Sequence, residues 1–557
     1  MKRLGVGGVL LLLALPLFSS LARPGIHNFQ DIMQFFRIYQ VDRCLADWQI
    51  PCRWVPDMGF GFGYPLFLYY PPAPYYLGAF FHTLGFQYIT AVNLLFVLGF
   101  LASGLSMFFF LAEIFPGRWS ALAGSALYLY APVRAVQVYV RGSLSEFLSF
   151  IFFPLLFLFS YRLVVNKSRQ SVLYLSLALA GLLLTHNLTA LTFFPILGLW
   201  ILILLWQSKK WSAIIRLAGG LGLGLGLAAF FLIPIVFERN LVHLESLTGG
   251  YFDYRQHFVS LYQLFISNRF GYGSSQLGPG DDLSLSVGQI HWILALVAVI
   301  LALRNYSRQR RLSQLVLILG AVELGLLFLA HQRSAFVWDR LPFLALWQFP
   351  WRFLVVGNFL LSTLSAAAIH FLPGSPAKTL ALAAIGLVFL LHGSFFKPQV
   401  WRQVEDNQLL TGQELAKQQT ASIGDYLPKA AAFPPNYPAP PQPEVISGQA
   451  RIASYHKGSA TQLGQIQVTS PRALIRAPIF DFAGLQVFTN GRPVSHSHDV
   501  CSGQDYCFGQ VSFWLPRGDH QVKIQLSSTW PRLVGDAVSL LTLAAVSLVS
   551  VTRRRLI

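Results

Sequence analysis

Long runs of apolar residues, separated by short polar stretches, dominate the 557-residue chain. Several runs reach about 18 residues or more, which is enough for a helix to cross roughly 30 Å of hydrocarbon. The pattern predicts about twelve membrane-spanning helices, near residues 5–22, 89–112, 120–138, 144–162, 171–186, 188–207, 213–236, 288–303, 313–331, 352–371, 378–394 and 533–551. We interpret the first run as an uncleaved anchor, with a cleaved signal peptide as the alternative.

Composition and charge agree with a membrane protein. The chain is 54% hydrophobic and 11% charged, with a formal net charge of +18. The basic residues stand in short clusters between apolar runs, as the positive-inside rule predicts, and a nucleic-acid partner is not expected. The clusters are Lys2 with Arg3, Arg162 with Lys167 and Arg169, Lys209 with Lys210, Arg304 with Arg308, Arg310 and Arg311, and Arg553 to Arg555. Both termini are therefore expected in the cytoplasm.

This topology predicts four segments outside the cytoplasm: 23–88, 237–287, 332–351 and 395–532. The last segment holds a proline-rich link over 433–445 and then short strand-like runs. Turn signals at Thr489-Asn-Gly-Arg492 and Pro516-Arg-Gly-Asp519 separate pairs of these runs. The predicted fold class is an α-helical polytopic membrane protein with a C-terminal extracytoplasmic β-sandwich.

The domain organisation follows from the same pattern. Residues 1–394 form a transmembrane domain with outer loops 23–88 and 237–287, residues 395–532 a linker and β-rich domain, and residues 533–557 a final span with a basic tail. All four cysteines, Cys44, Cys52, Cys501 and Cys507, lie outside as two close pairs. Two local disulfides are plausible in an oxidising compartment, and unpaired thiols are the alternative.

The first outer loop begins with a helical pattern. Its apolar residues are Phe29, Ile32, Met33, Phe36, Ile38, Val41 and Leu45, and its other face carries Gln30, Asp31, Gln34, Arg37, Asp42 and Arg43. We predict an amphipathic helix suited to a membrane interface, or one packed on neighbouring spans. The aromatic stretch GFGFGYPLFLYYPPAPYY follows it.

Polar and ionisable side chains at the predicted span ends collect on the outer face. Such residues are costly in lipid and often mark functional sites, although pairing and helix capping are the alternative. They are Asp31, Gln34, Arg37, Arg141, Glu146, His186, Asn187, Glu238, Arg239, Gln348 and Arg352. Carboxylates beside arginines suit sugar transfer from a lipid phosphate, in which a base takes the acceptor proton and a cation holds the leaving phosphate. No Walker loop, HExxH or GxSxG pattern supports nucleotide hydrolysis, zinc proteolysis or serine hydrolysis.

Several of these stretches resemble a known bacterial family. They are DIMQFFR from Asp31, the run IPCRWVPDMGFGFGYPLFLYYPPAPYYLGA, YVRGSLSEF, THNLTAL, QFPWRF and the β-rich tail. The family is labelled 6-pyruvoyl-tetrahydropterin synthase-related membrane protein and is similar in architecture to the GT-C glycosyltransferases. No zinc-binding histidine set supports pterin-synthase activity.

The resemblance implies a role for each matching residue. Asp31 would be the first-loop acid, acting as general base or as ligand of a Mg or Mn ion, and Glu146 the second catalytic acid and metal ligand. Arg141, His186 and Arg352 would contact phosphate or acceptor. Independently of the resemblance, the polar set at the span ends predicts that Gln34, Arg37, Asn187, Glu238 and Gln348 line the substrate site. Gln30 stands where a histidine is expected, and His27 is the nearby substitute.

The leading hypothesis is thus a glycosyltransferase that uses a polyprenyl-phosphate-linked sugar donor and an envelope glycan, lipid or protein acceptor. A transporter or flippase of lipid-linked saccharides is the first alternative, with Glu323 in the ninth predicted span as its main candidate residue. A non-catalytic envelope scaffold is the second.

Overall fold

The computed structural model describes residues 3–278, 280–498 and 508–554. In these residues, seven helices are long and apolar enough to cross a membrane: Tyr88–Ile114, Leu144–Val164, Asn187–Ser208, Arg310–Ala330, Pro350–His370, Gly374–Phe395 and Trp530–Leu548. Counting the broken pair Trp211–Leu227 and Ala229–Leu241 as one span gives eight. Gly7–Ala22, Ser171–Thr185 and Gln289–Arg304 are shorter apolar helices. The helical polytopic class is confirmed, and the count of about twelve spans stays a prediction.

The chain divides into two compact units. The helical unit comprises Met1–Ile32, Ile89–Gly226 and Thr248–Val404, and the β-rich unit comprises Met33–Tyr88, Leu227–Leu247 and Glu405–Ile557. The first outer loop and the β-rich tail, which are far apart in sequence, therefore contribute largely to the same unit.

Helix Phe353–His370 is the central element of the helical unit and is buried along nearly its whole length. It packs against Arg118–Tyr130, Gln289–Arg304 and Arg310–Ala330. Small side chains permit this close approach, since a Cβ added at Gly124 would lie 2.8 Å from the Cβ of Ala366. The other helices of this unit are Arg3–Phe18, Pro132–Ala135, Leu261–Phe265 and Ala335–Arg340, and the strands Ile26–His27 and Trp401–Arg402 pair antiparallel.

The first outer helix spans Gln34–Ala46 in the β-rich unit. It starts three residues after Asp31, so the prediction that Asp31 lies on this helix is wrong. Gln34 and Arg37 of the expected polar face are buried beside Phe36 and Val41. Much of this helix is thus packed within protein, and its interfacial position stays a prediction. Helices Leu66–Tyr69, Ala73–Thr83, Asp406–Leu409, Gly412–Thr420 and Trp530–Arg554 also belong to this unit.

In the described residues, the predicted β-domain forms one antiparallel sheet of seven strands. We label them β1 (Glu444–Ser447), β2 (Ala450–Lys457), β3 (Thr461–Phe480), β4 (Leu485–Thr489), β5 (Arg492–Val494), β6 (His496–His498) and β7 (Gln510–Leu526). The long strands β3 and β7 pair along their length, with register shifts at Val468/Arg472 and Arg476/Phe480. The sheet is therefore continuous, whereas the sequence predicted a sandwich.

One of the two predicted turns is confirmed and the other is wrong. Asn490 and Gly491, both with positive φ, make a two-residue turn between β4 and β5, as predicted. Pro516-Arg-Gly-Asp519 is no turn, because β7 continues through it opposite the irregularity in β3. Proline is tolerated at such an irregularity because the ladder hydrogen bond is already interrupted there.

The core of the β-rich unit combines the sheet with the aromatic half of the first outer loop. Trp54 and Phe62 are fully buried in one cluster with Ile466, Ile475 and Phe513. Gly63 allows this packing, because its φ of 84° is left-handed and an added Cβ would lie 2.2 Å from Nε1 of Trp54. The aromatic stretch thus serves as the apolar counterpart of the sheet.

A disulfide links Cys44 to Cys52, which confirms the first predicted pair. The second predicted pair, Cys501 and Cys507, lies outside the described residues.

A buried ion pair ties the final helix into the β-rich unit. The Arg532 guanidinium donates from Nε to the Glu238 carboxylate at 2.9 Å, and both side chains are almost inaccessible. The Thr529 hydroxyl donates to the other Glu238 oxygen. Glu238 therefore has two protein partners, and its role as a substrate contact stays a prediction.

Glu238→Gln is expected to lower the free energy of unfolding by about 3–5 kcal/mol, because it leaves the Arg532 guanidinium buried without a counter-charge. The measurement is the thermal unfolding midpoint of the purified protein in detergent. Glu245→Gln is the matched control: Glu245 is exposed, pairs with Lys429 at 2.9 Å, and should leave the midpoint unchanged. Equal midpoint shifts for the two variants would contradict this prediction.

Candidate functional site

The candidate site of the helical unit is built around a sharp turn between two helical segments. The π-helical segment Val136–Arg141 ends at Gly142, which has the left-handed φ of 63°, and Leu144–Ser149 follows at once. An added Cβ at Gly142 would lie 2.1 Å from Cδ2 of Phe29. Glycine thus allows both the turn and the close approach of the segment that carries Asp31.

Asp31 is held against this turn by its backbone. The amide of Gln30 donates to the carbonyl of Val140 at 3.0 Å, and the amide of Asp31 donates to the carbonyl of Arg141 at 2.9 Å. The side-chain amide of Gln30 donates to the carbonyl of Gly273 at 3.1 Å. Asp31 and Arg141 therefore lie next to each other, although 110 residues separate them in sequence.

Glu146 lies between two arginines. Its carboxylate is 2% exposed, accepts a hydrogen bond from Arg141 Nη1, and has Arg352 Nε 3.8 Å from its other oxygen. A buried carboxylate is stable only when it is paired, and two guanidinium groups provide that pairing here. The three side chains together carry one excess positive charge.

Aromatic rings and amides fix both arginines. The Arg141 guanidinium stacks 4.6 Å over the Trp351 ring and donates to the Gln137 side chain at 2.7 Å. Arg352 stacks 4.9 Å over Phe349 and donates to the Gln348 side chain at 2.7 Å. Gln348 has a φ of 62°, unusual for a residue other than glycine, at the turn that leads into helix Phe353–His370. The guanidinium groups of Arg141 and Arg352 are therefore held in fixed orientations by these contacts.

His186 and Asn187 start helix Asn187–Ser208. His186 Nδ1 accepts from the backbone amide of Thr189 at 3.2 Å, so the neutral ring carries its proton on Nε2. The ring is within electrostatic range of Glu146 and both arginines. Asn187 accepts from the backbone amide of Leu188 at 2.9 Å. Both residues thus have capping roles, and their predicted substrate contacts stay predictions.

Sequence reasoning missed the supports of this cluster. Trp351 Nε1 donates to the Ser275 hydroxyl at 3.1 Å, and His257 Nδ1 is 3.1 Å from the same oxygen. Burial lowers the pKa of His257. Neither Ser275 nor His257 lies in a regular pattern, so no sequence signal distinguished them.

Gln34 and Arg37 belong to the β-rich unit. The Arg37 guanidinium stacks 4.4 Å over Tyr70 and donates to the Tyr75 hydroxyl at 3.2 Å, while that hydroxyl donates to the Gln34 side chain at 2.8 Å. Among the predicted site residues, Glu146 and its two arginines thus belong to the helical unit, whereas Gln34, Arg37 and Glu238 belong to the β-rich unit.

His27, the proposed substitute for the missing histidine, is held by contacts with neighbouring segments of the protein. Its ring donates from Nε2 to the carbonyl of Val138 at 2.9 Å and packs against Phe29. Burial lowers the pKa of His27 to about 4. The ring is therefore neutral at physiological pH and ties the Asp31 segment to the π-helical segment.

The charges around Glu146 do not fit the predicted Mg or Mn ion. Arg141 and Arg352 already pair with the Glu146 carboxylate, and a divalent cation bound to that carboxylate would be repelled by both guanidinium groups. Among the described residues, no group of three His, Cys, Asp or Glu side chains could hold a metal ion.

These features define the class: a polytopic membrane protein with a buried, charge-paired polar cluster at the ends of its helices. A family model described as "6-pyruvoyl-tetrahydropterin synthase related domain; membrane protein" matches residues 67–400, more than half of the chain. The protein belongs to this family, as the sequence resemblance predicted.

Other comparisons are more distant. An uncharacterised protein of Lactococcus lactis subsp. cremoris (strain MG1363) is 25% identical over 241 residues, which cover 42% of this chain and 38% of that protein. Mycobacterial arabinofuranosyltransferase AftD gives a TM-score of 0.45 at 16% identity, covering 73% of this chain and 28% of that chain. The oligosaccharyltransferase AglB from Archaeoglobus fulgidus gives 0.42 at 13%, covering 72% and 56%. The chain thus matches well under two thirds of the length of each.

Folding stability should fall as the pH falls from about 6.5 towards 4, because the unfolded chain binds a proton at His27 that the folded chain does not. For His27 alone, the loss is on the order of 3 kcal/mol. His27→Gln keeps a donor for the Val138 carbonyl but does not titrate, so its stability relative to wild type should improve on acidification. The measurement is the thermal midpoint between pH 4 and 8.

His456→Gln, at an exposed position, is the control and should follow the wild-type pH profile. If the thermal midpoint of His27→Gln follows the wild-type pH profile, proton binding at His27 is not the cause of the loss of stability.

Proposed function

We propose that this protein is a membrane glycosyltransferase that transfers a sugar from a polyprenyl-phosphate-linked donor to an acceptor at the extracytoplasmic face. One observation carries the proposal. The buried Glu146 carboxylate pairs with Arg141 and Arg352, and the backbone of Asp31 is bonded to that of Arg141. The proposed base and the proposed anion-binding groups thus come from different segments of the chain.

The two arginines would bind the donor phosphate. A guanidinium group presents parallel N–H donors that match phosphate oxygens, and it stays charged at any physiological pH. As the bond between the sugar and the phosphate breaks, these donors would stabilise the growing negative charge on the leaving phosphate.

Asp31 would act as the general base. Its carboxylate would take the proton of the acceptor hydroxyl while that oxygen forms a bond to the anomeric carbon of the sugar. The bond from that carbon to the phosphate oxygen breaks, and its electron pair leaves with the polyprenyl phosphate. The products are the glycosylated acceptor, polyprenyl phosphate and protonated Asp31, so no oxidant or further reactant is needed.

Glu146 would act as a positioning residue in this scheme. Because it pairs with both arginines, it holds their spacing and prevents their mutual repulsion. In this scheme the two arginines supply the positive charge in place of the predicted Mg or Mn ion, so activity should persist in the presence of EDTA.

A second candidate function, transport of a lipid-linked saccharide, is favoured by Glu323. In the described part of the chain, neither carboxylate oxygen of this buried residue has a hydrogen-bond partner. An added Cβ at Gly357 would lie 3.0 Å from one of them. An intramembrane carboxyl group with no protein partner is typical of ion-coupled transport.

Asp31→Asn is expected to reduce sugar transfer by about 10²–10⁴-fold, because an amide cannot accept the acceptor proton. The measurement is release of labelled polyprenyl phosphate from a panel of polyprenyl-phosphate hexoses and pentoses, with full-length protein in lipid nanodiscs and with EDTA added. Asp282→Asn is the control, because Asp282 is an outer carboxylate that pairs with Arg269 at 2.8 Å.

Undiminished transfer by Asp31→Asn would disprove its role as base. If wild type transfers no sugar from any donor, while Glu323→Gln abolishes saccharide uptake into vesicles, the transport candidate replaces this proposal.

Arg352→Lys is expected to lower kcat/KM for the donor by about tenfold or more, because it keeps the charge but loses the paired donors. The same variant should leave the thermal midpoint within a few degrees of wild type. A matched Arg255→Lys variant changes an exposed arginine paired with Asp339 at 3.0 Å and should keep wild-type kinetics. Equal kinetics for the two variants would remove Arg352 from the donor site.

A further inference from the structure

The outer face of the sheet in the β-rich unit contains a groove of about 700 Å³. Strands β2, β3, β4 and β7 form its floor. The residues that line it are Ser454, Tyr455, His456, Leu463, Gly464, Gln465, Phe488, Gly491, Gln521, Val522, Lys523 and Gln525. The opposite face of the same strands packs into the core through Ile466, Val487 and Ile524.

Strand register arranges the groove in three rows across the sheet. The middle row places His456, Leu463, Lys523 and Phe488 side by side on four neighbouring strands. On one side lies a row with Gln465 opposite Gln521, and on the other a row with Gln525 opposite Gln486. Residues two apart on a strand are roughly 7 Å apart, so the three rows span about 14 Å.

The groove presents glutamine amide groups on both sides of an apolar strip, which consists of Leu463 and Phe488. Leu463 is 48% exposed, and the half-buried Phe488 ring lies in the same row on the other side of Lys523. Among the described residues, the side-chain amides of Gln465, Gln521 and Gln525 have no hydrogen-bond partner in the protein. An amide offers both a donor and an acceptor, which matches adjacent hydroxyl groups.

The charge of the lining residues and the backbone pairing of the strands exclude several classes of ligand. The lining contains no carboxylate and one ammonium group, Lys523, so a polyanion would find little compensation. Lys523 separates Leu463 from Phe488, so the strip does not form a continuous surface for an acyl chain. The backbone groups of the central strands are used within the sheet, so a peptide cannot add as a further strand on this face.

We propose that this groove binds an uncharged glycan chain, whose sugar faces would pack on Leu463 and Phe488 while the glutamine rows bond its hydroxyl groups. Surfaces of this kind combine an apolar contact with a few fixed polar groups. Binding here involves no covalent step and does not depend on sugar transfer at Asp31.

The test is titration of full-length protein in nanodiscs with cellohexaose, mannohexaose and arabinohexaose, with hexagalacturonate as the anionic probe, monitored by calorimetry and saturation-transfer NMR. At least one neutral hexasaccharide should bind, and its NMR contacts should disappear in the groove variants. Phe488→Ala and the double variant Gln465→Ala/Gln521→Ala should each weaken binding by about tenfold or more. The double variant changes exposed side chains only, so it tests the groove even if Phe488→Ala fails to fold.

Gln467→Ala is the matched control, because Gln467 is an exposed glutamine of the same strand that pairs with Asp519, outside the groove. It should bind as wild type does, and so should Asp31→Asn, which separates this proposal from the proposed transfer reaction. Absence of binding to all three neutral probes, preference for hexagalacturonate, or equal loss in Gln467→Ala would each overturn the assignment.

Discussion

The helical unit depends on the burial of one carboxylate. Glu146 lies in an apolar helix, where an unpaired charge would cost several kcal/mol, so its surroundings must supply cations. Arg141 and Arg352 do so from two other segments, and each is held in turn by an aromatic ring and a glutamine. The left-handed turn at Gly142 brings Arg141 and Glu146 together and leaves room for Phe29. The position of Asp31 thus depends on Arg141, which also neutralises Glu146.

The first outer loop contributes residues to both units. Its start, through Ile32, belongs to the helical unit, and its remainder belongs to the β-rich unit. Trp54 and Phe62 of this remainder pack in one core with side chains of the sheet. At these two positions the aromatic character of the loop is explained by packing on β-strands.

The sequence predicted elements set by local pattern and missed those set by distant contacts. Apolar length indicated the helices, the Asn-Gly pair indicated the β4–β5 turn, and spacing indicated the Cys44–Cys52 bridge. The neighbourhood of Arg141, Glu146 and Arg352 could be anticipated because charges at span ends need partners. The continuation of β7 through Pro516 could not be anticipated from the sequence, because it depends on the position of the irregularity in β3. Ser275 and His257 were missed because they approach Trp351 from an irregular segment.

The proposed reaction also suits the charge balance of the cluster. Asp31 and Glu146 carry two negative charges, and Arg141 and Arg352 carry two positive ones. During transfer, the donor phosphate gains one negative charge as it becomes a monoester, while Asp31 loses one by accepting the acceptor proton. The total charge is therefore unchanged, and negative charge moves from a carboxylate beside the Arg141 backbone to a phosphate between the guanidinium groups. A site fixed in advance by Glu146 can follow this shift without rearranging its charged groups, which is the condition under which preorganised electrostatics lowers a barrier.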